Sequence, residues 1–445
     1  MGLLRIDPET EGCQRICDLP DDLLLRILLL VPAKDAVATA ILSKRWRCVW
    51  KMLHKLAFKD DQGSESVGWF IDKSLQLHKA PTLLSLVVEL GPRCPVDVDI
   101  RKWVEKAVNQ GVQKLDFKLL WTGEPTSFPK SLYTCDTLVS LTLSNQILVD
   151  VSFPASLPSL LLLDLFNVVY KDEDSLARLL SSSPVLQQLL VERRDKDDNL
   201  TNFTVKVPSL ERLSYETEWR EEEEEEEEGE YHIGSLVIDS PALAYLNIND
   251  HRGDYCSLIE NMICLDTVYI DYVPNPDEKF LRCLSSARDL SLYLSESMVA
   301  VACCNAIEFS RLIDLVVSSD APVYWLEPLI FLLQNSPQLK TLAMDTKGCP
   351  PSLWNQPSTI PRCLSSHLEI VRWKEYEGKE DEKQLMTYIL ANSNCLKTVE
   401  ISLVATCNLE ECRKELEAMP RISTSSRLLF CTPESIGVFS CATSS

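Results

Sequence analysis

His367 follows Cys363 closely in the chain, and a thiol beside an imidazole is the smallest set that supports nucleophilic catalysis. The surroundings complete no such site. Glycine is scarce, and none is arranged as G-x-G-x-x-G or G-x-x-x-x-G-K-[ST], so no loop is built to cradle a phosphate. G-x-S-x-G and H-E-x-x-H are absent too. Seventeen cysteines suggest metal or disulfide chemistry, but no Cys-x-x-Cys pair occurs. Cys303 and Cys304 are adjacent, Cys407 and Cys412 are five apart, and His54, His78, His232, His251 and His367 are scattered. Cys135, Cys264, Cys283, Cys363 and Cys395 lie close to apolar runs, which suits small buried thiols in a reducing compartment. The expectation is a chain with no catalytic residue, no cofactor and no metal.

Such a chain acts by binding, and binding depends on the elements that carry the contact residues. At 445 residues there is room for several domains or for one repeat array with a module attached. The net charge of −22 argues against a nucleic-acid partner, which would need a basic footprint. Discounting the run Glu221 to Glu228 still leaves −14, so the body is acidic as well. That run, with Glu230, has no compensating lysines and reads as a solvated, disordered insertion over 219–230. Met1 to Asp18 lacks the apolar core of a secretion signal, and no uncharged apolar run reaches the ~18 residues a membrane helix needs. The expected location is the cytoplasm, the nucleus or both, with no membrane contact.

The richest local pattern lies near the N-terminus. Asp21 and Asp22 suit the positive end of a helix, and Leu23, Leu24, Ile27 and Leu28 form an apolar stripe that Pro32 ends. Asp35 can cap a second helix, and Ser43 a third with Trp46, Val49, Trp50 and Leu53 on one face. Three such short helices rarely make a sufficient core alone, so something else must cover them. The order Leu19-Pro20-Asp21, Ile27-Leu28, Pro32, then Thr39-Ala40-Ile41-Leu42-Ser43-Lys44-Arg45-Trp46, resembles the plant F-box. Val31 precedes Pro32 where that motif more often has Leu, and Ala40 stands where it has Ser. The resemblance implies docking on a Skp-type adaptor, and through it on a cullin–RING ubiquitin ligase. The matching positions are Leu19, Pro20, Ile27, Leu28, Pro32, Leu42, Ser43, Trp46 and Trp50. Both indoles are then expected to be accessible to the partner.

After a polar connector and a helix carrying Trp69, Phe70, Lys73, Ser74 and Leu77, an apolar-x-x-apolar-x-apolar unit recurs from residue 83. It runs from Leu83/Leu86/Val88 through Leu163, Leu189, Leu213, Leu246 and Leu290 to Leu396/Val399/Ile401, thirteen copies in all. Central residues are mostly 22 to 29 apart, and the one outlier, 33 from Leu213 to Leu246, spans the glutamate run. This period and core are the signature of leucine-rich repeats, whose strands bury their apolar face only by stacking on neighbours. Ser-Ser-Pro, Val-Pro-Ser and Asn-Ser-Pro before Val185, Leu210 and Gln338 read as turns that reset the chain. From Ile360 to Lys397 the sequence resembles the FBD region that follows the repeats in many plant F-box proteins. It reads as a strand, an acidic turn (Glu375 to Lys383), a helix (Gln384 to Asn392) and a strand, with a last edge strand at Arg427–Phe430. That resemblance also accounts for Cys363 and His367 as core or turn residues.

The fold class expected is an α/β solenoid, a leucine-rich-repeat horseshoe, with a small N-terminal all-α F-box module. The divisions are a disordered 1–14, an F-box over 15–60, a linker helix over 61–82, repeats over 83–350, an FBD region with terminal repeats over 351–430, and a flexible 431–445. Residues flanking the buried positions face out on the concave side, among them Thr142, Asp164, Leu190, Glu192, Ser214, Glu216, Asn247, Asp271, Ser291, Asp314 and Ala343. On the same side Phe166, Tyr245, Tyr269 and Tyr293 are the aromatic candidates for target binding, and the carboxylates favour a basic or apolar partner. The resemblance implies a non-catalytic substrate receptor of a Skp–cullin–F-box ubiquitin ligase with an unknown target protein. The alternative is a leucine-rich-repeat scaffold that never meets a ligase.

Overall fold

The repeated triad becomes a strand because its second and third apolar residues, two apart, project to one face of an extended chain. The computed structural model describes residues 16, 19–60, 66–94, 98–121, 123–194, 199–217, 234–252, 255–258, 262–304, 307–319, 325–346, 356–404 and 409–431. The run Glu221 to Glu228 and the terminal segments 1–14 and 432–445 lie outside them. The chain divides into two compact units, Met1–Ile147 and Leu148–Ser445. No helix among the described residues is long and apolar enough to cross a membrane.

The first unit opens with three short helices, α1 (Asp21–Leu28), α2 (Ala33–Ala38) and α3 (Trp46–Val49), the last running into a tight turn over Trp50–Met52. A parallel ladder follows, made of β1 (Lys55–Asp60), β2 (Ser85–Leu90), β3 (Lys114–Leu119) and β4 (Ser140–Asn145). Between strands the chain returns through α4 (Val67–Leu77) and α5 (Ile100–Asn109). Gly111, at φ +70°, turns the chain out of α5, and the Val112 N–H reaches back to the Ala107 carbonyl at 3.2 Å.

The ladder thus starts inside the stretch assigned from sequence wholly to a helical module. Leu53, Leu56 and Phe58 are a further copy of the buried triad, and all three are interior. The helix expected within 61–82 is α4, and the chain that follows it is tied to the N-terminal helices. The N–H groups of Lys79 and Ala80 donate to the Lys51 carbonyl (2.8 and 3.0 Å), and a His78 ring nitrogen lies 2.7 Å from the Leu53 carbonyl. Burial holds His78 below the ordinary imidazole range, so that contact forms with a neutral ring.

The second unit is a longer parallel ladder. Its strands are β5 (Leu162–Phe166), β6 (Gln188–Arg193), β7 (Arg212–Thr217), β8 (Tyr245–Asn249), β9 (Thr267–Tyr272), β10 (Asp289–Tyr293), β11 (Asp314–Ser319), β12 (Thr341–Thr346), β13 (Ile370–Tyr376), β14 (Thr398–Leu403) and β15 (Arg427–Cys431). Each pairs in parallel with the next, and the triad leucines align across it, as Leu163↔Leu189↔Leu213↔Leu246. Every triad read from the sequence is buried at all three positions, which is consistent with a solenoid.

Backbone bonds repeat with the triads. The N–H groups of Gln188, Arg212, Tyr245 and Thr267 donate to carbonyls one repeat earlier, at Leu161, Gln187, Glu211 and Ala244. The turns read from Ser-Ser-Pro, Val-Pro-Ser and Asn-Ser-Pro close by bonds from the N–H groups of Leu186, Leu210 and Leu339 to the carbonyls of Ser183, Val207 and Ser336.

The return side changes character along the second unit. It carries α6 (Glu173–Ser181), whose first turn is capped by the Asp172 carboxylate accepting the Ser175 N–H at 2.7 Å. A second parallel ladder replaces helices in the middle repeats, through segments 202–206, 235–239, 255–258 and 275–276. Helices α7 (Phe280–Cys283), α8 (Glu296–Cys304), α9 (Leu326–Gln334), α10 (Arg362–Ser366), α11 (Glu380–Asn392) and α12 (Leu409–Ala418) complete it. Residues 380–383, read from sequence as part of an acidic turn, are the first turn of α11. Three carboxylates favour a helix N-terminus, and Glu382 accepts N–H bonds from Glu377 and Lys379 (3.0 and 3.1 Å).

Candidate functional site

The N-terminal helices bury one part of their apolar surface and leave another open. Leu24 and Leu28 of α1 are interior, whereas Leu23 at the same end of the expected stripe is exposed. An eight-residue helix packed on α3 and the turn after it can cover only a narrow stripe. The run Leu28-Leu29-Leu30-Val31 then leaves the helix before Pro32, and its last three members point to solvent. Leu30 is 85% exposed, and on the turn over Thr39–Ile41 and just past it Ile41 is 88% and Leu42 59% exposed. Ile16 and Met52 are exposed as well. Isolated surface leucines are ordinary, but this many large apolar side chains on one small module mark a surface built to be covered.

Of the nine positions expected to meet an adaptor, Pro20, Pro32 and Leu42 are exposed, and Leu19, Ile27 and Ser43 are half-buried. The other three lie inside this chain. Trp46 is 2% and Trp50 3% exposed, and Leu28 is equally interior. The reason is the strand that follows. The Trp46, Val49, Trp50 and Leu53 face is expected to await a partner, but it packs within the unit because residues 51–54 are stitched to 78–85. These three side chains hold the module together. Ser43 does act as a cap, its hydroxyl accepting the Trp46 N–H at 3.3 Å.

Sequence reasoning passed over Leu30, Ile41 and Arg45. The signal for the first is in the chain: four consecutive apolar residues before a proline cannot all lie on one helix face. Arg45 ties the two halves of the motif together. Its guanidinium contacts Asp21 at 2.6 Å and donates to the Leu19 carbonyl, which sets the Leu19-Pro20 segment against the turn that precedes α3. As an exposed ion pair it adds little stability; its work is geometric.

The outward face of the second unit's ladder is ordered in rows. Asp164, Leu190, Ser214, Asn247, Tyr269, Ser291, Val316, Ala343 and Arg372 follow one another across β5 to β13. The three tyrosines do not share a row. Tyr245 aligns with Arg212 and Thr267, Tyr269 with Asn247 and Ser291, and Tyr293 with Ser318. Tyr245 and Tyr269 still touch, with ring centroids 5.8 Å apart, and the Arg212 guanidinium lies 4.1 Å from the Tyr245 ring. Tyr293 packs instead on Tyr272 at 5.7 Å, and Tyr272 stacks on His251. Phe166 aligns with Glu192 in the same row as Glu216.

Charge is unevenly spread over this face. From β5 to β11 its outward positions hold Asp164, Glu192, Glu216, Asp271, Asp289 and Asp314 against Arg212. On β12 to β14 the cations are already used, Lys374 on Asp345 at 2.6 Å and Arg372 on Glu400 at 2.9 Å. Burial, with Glu216 adding to it, pushes the Asp271 carboxyl up. Asp289 is pushed up to about 6 by burial and by its hydrogen bond to the neighbouring carboxyl of Asp314. In the first unit the outward positions instead carry Lys55, Lys59, Lys114 and Lys118 with Glu89 and Asp116.

Cys363 and His367 form no nucleophile and base. The Cys363 thiol donates to the Leu333 carbonyl, and burial pushes it up to about 12, so no thiolate forms at neutral pH. His367 meets residue 363 through its backbone N–H and the Cys363 carbonyl. Cys135 and Cys283 are buried as expected, but Cys264 and Cys395 are exposed, each one residue before the first buried position of its triad, Leu265 and Leu396. No group of metal-binding side chains occurs among the described residues.

Comparison with known proteins gives three consecutive matches. An F-box domain model matches residues 16–58, a model of the leucine-rich repeats of the FBD-associated F-box protein At5g56370 matches 100–228, and an FBD model matches 356–401. An Arabidopsis thaliana protein named as an F-box/FBD/LRR-repeat protein, At1g22000, is 64% identical over 96% of this chain and 94% of its own length. At1g05080, named as an FBD-associated F-box protein, is 47% identical over 95% and 98%, and the F-box/FBD/LRR-repeat protein At4g26340 is 38% identical over 94% and 99%, both from the same plant.

Proposed function

The chain belongs to the F-box/FBD/leucine-rich-repeat family, and from that premise we propose that it is the substrate-recognition subunit of a Skp–cullin–F-box ubiquitin ligase. The observation that carries this reading is the solvent-facing set Leu30, Val31, Ile41 and Leu42 beside Pro20 and Pro32. Leu19, Pro20, Ile27, Pro32, Leu42 and Ser43, joined by Leu30 and Ile41, form the adaptor-contacting surface in this proposal. Leu28, Trp46 and Trp50 support it from inside. Residues 15–60 are the docking module, and the repeats over 83–350 with the terminal region over 351–430 hold the target, in the cytoplasm or nucleus.

The mechanism is positional. A target held on the outward rows has its lysines kept close to the ubiquitin-loaded enzyme, which raises their effective concentration without bond chemistry in this chain. No catalytic residue is assigned.

The burial of both indoles favours the second reading, a scaffold that never meets a ligase. The open leucines and isoleucine weigh against it. Co-expression with a plant Skp-type adaptor decides between them. The full chain is expected to co-purify with the adaptor, and Leu30→Asp with Ile41→Asp to lose it without lowering the unfolding temperature. A wild-type chain that fails to retain the adaptor sinks the proposal.

A further inference from the structure

On the outward face of β10 to β13 the sheet sinks into a depression of about 250 Å³. Its floor is three residues consecutive in register, Ser291, Val316 and Ala343, each too small to fill its place in the row. Larger side chains stand at both ends of that row, Tyr269 on one side and Arg372 on the other. Along one edge lie the carboxyls of Asp289 and Asp314, adjacent in register. The depression therefore has an apolar floor, an aromatic wall and an anionic rim.

Among the described residues the rim is short of positive charge. Neither Asp289 nor Asp314 makes an ion pair with a described residue, and the two carboxyls share a hydrogen bond. Asp266 adds to their mutual repulsion and Arg288 only partly offsets it. Arg372, the cation nearest in the row, is engaged by Glu400. Along the same row, beyond Tyr269, the side-chain oxygen of the buried Asn247 accepts no hydrogen bond from a described residue. Six outward carboxylates against one cation from β5 to β11 extend this preference over a larger area.

The geometry points to a receptor for a basic segment of the target protein, with a lysine or arginine side chain laid in this depression. Its aliphatic stem covers Val316 and Ala343, its cation meets Asp289 and Asp314, and Tyr269 flanks it. This assignment rests on the reading of the repeats as a target-binding surface and names the chemistry that surface selects.

The test uses the full chain and short fluorescein-labelled Gly/Ser peptides that carry a central Lys-Arg pair, or acetyl-lysine and citrulline in their place. Fluorescence anisotropy is expected to show the charged peptide binding about tenfold or more tighter than the neutral one. Asp289→Asn with Asp314→Asn is expected to erase that difference without lowering the unfolding temperature, because it relieves repulsion. Thr341→Lys, which sets a cation on the rim and leaves both aspartates, is expected to do the same and serves if the double variant is unstable. Equal affinity for the two peptides overturns the inference. So does a preference that survives both variants, as general attraction to an acidic chain would give. Adaptor co-purification is scored separately: adaptor bound with no peptide preference removes this inference alone, and the reverse removes only the ligase reading.

Discussion

Buried carboxyls make stability a function of pH in a direction opposite to the common acid-labile case. Glu382 sits at the head of α11, and burial raises it from 4.5 to about 7 despite the N–H bonds it accepts. A carboxyl raised on folding holds its proton more tightly in the folded chain. Its contribution is therefore present below 4.5 and is lost as pH rises through about 7. For Glu382→Gln the stability difference between pH 5 and pH 8 is expected to shrink relative to wild type, by up to about 3 kcal/mol, read from urea unfolding at the two pH values. Glu382→Ala leaves the Glu377 and Lys379 N–H groups without their acceptor and is expected to destabilise by about 1–3 kcal/mol at pH 6. Cys363 makes the complementary point: a thiol raised to about 12 resists alkylation in the folded chain, whereas exposed Cys264 and Cys395 label first, as peptide mapping after iodoacetamide would show.

The N-terminal helices show how one module divides its apolar residues between holding itself together and offering a surface. Trp46→Ala empties a filled interior site and is expected to cost about 3–5 kcal/mol, seen as a lower urea midpoint for the first unit. Ile41→Asp touches a side chain already in water and is expected to leave the midpoint within about 0.5 kcal/mol. Under the proposed adaptor docking, loss of binding is expected in both variants from two separable causes, a collapsed module in the first and a spoiled surface in the second. Both side chains belong to one sequence motif. Helix periodicity placed Trp46, Val49, Trp50 and Leu53 on one face correctly. It was silent on whether that face turns toward a partner or toward β1, because the choice depends on a strand that pairs thirty residues downstream.

At the scale of the molecule the first repeat and the helical module are one structure. Leu53, Leu56 and Phe58 are buried, and residues 51–54 bond to 78–85. A fragment that ends at Asp60 loses both the β2 partner and the His78 contact. It is expected to show no cooperative thermal transition by circular dichroism, whereas the full chain does. The triad at 53–58 was readable in the same L-x-x-L-x-F spacing as the others, but the helical motif just before it masked the pattern.

By itself the sequence determined that the triad residues of the repeats lie inside, how the strands follow one another and which family motifs the chain carries. Those properties rest on local spacing: apolar residues at strand and helix periods must be buried wherever the chain goes, and short turns leave adjacent repeats little choice but to pair. Only the tertiary structure decided which apolar residues remain outside, that three tyrosines lie in different rows, and that Asp289 meets Asp314 over a floor of small side chains. Each of these depends on register between segments twenty or more residues apart, and the side chain that fills or fails to fill a place in a row is set by its neighbours in space.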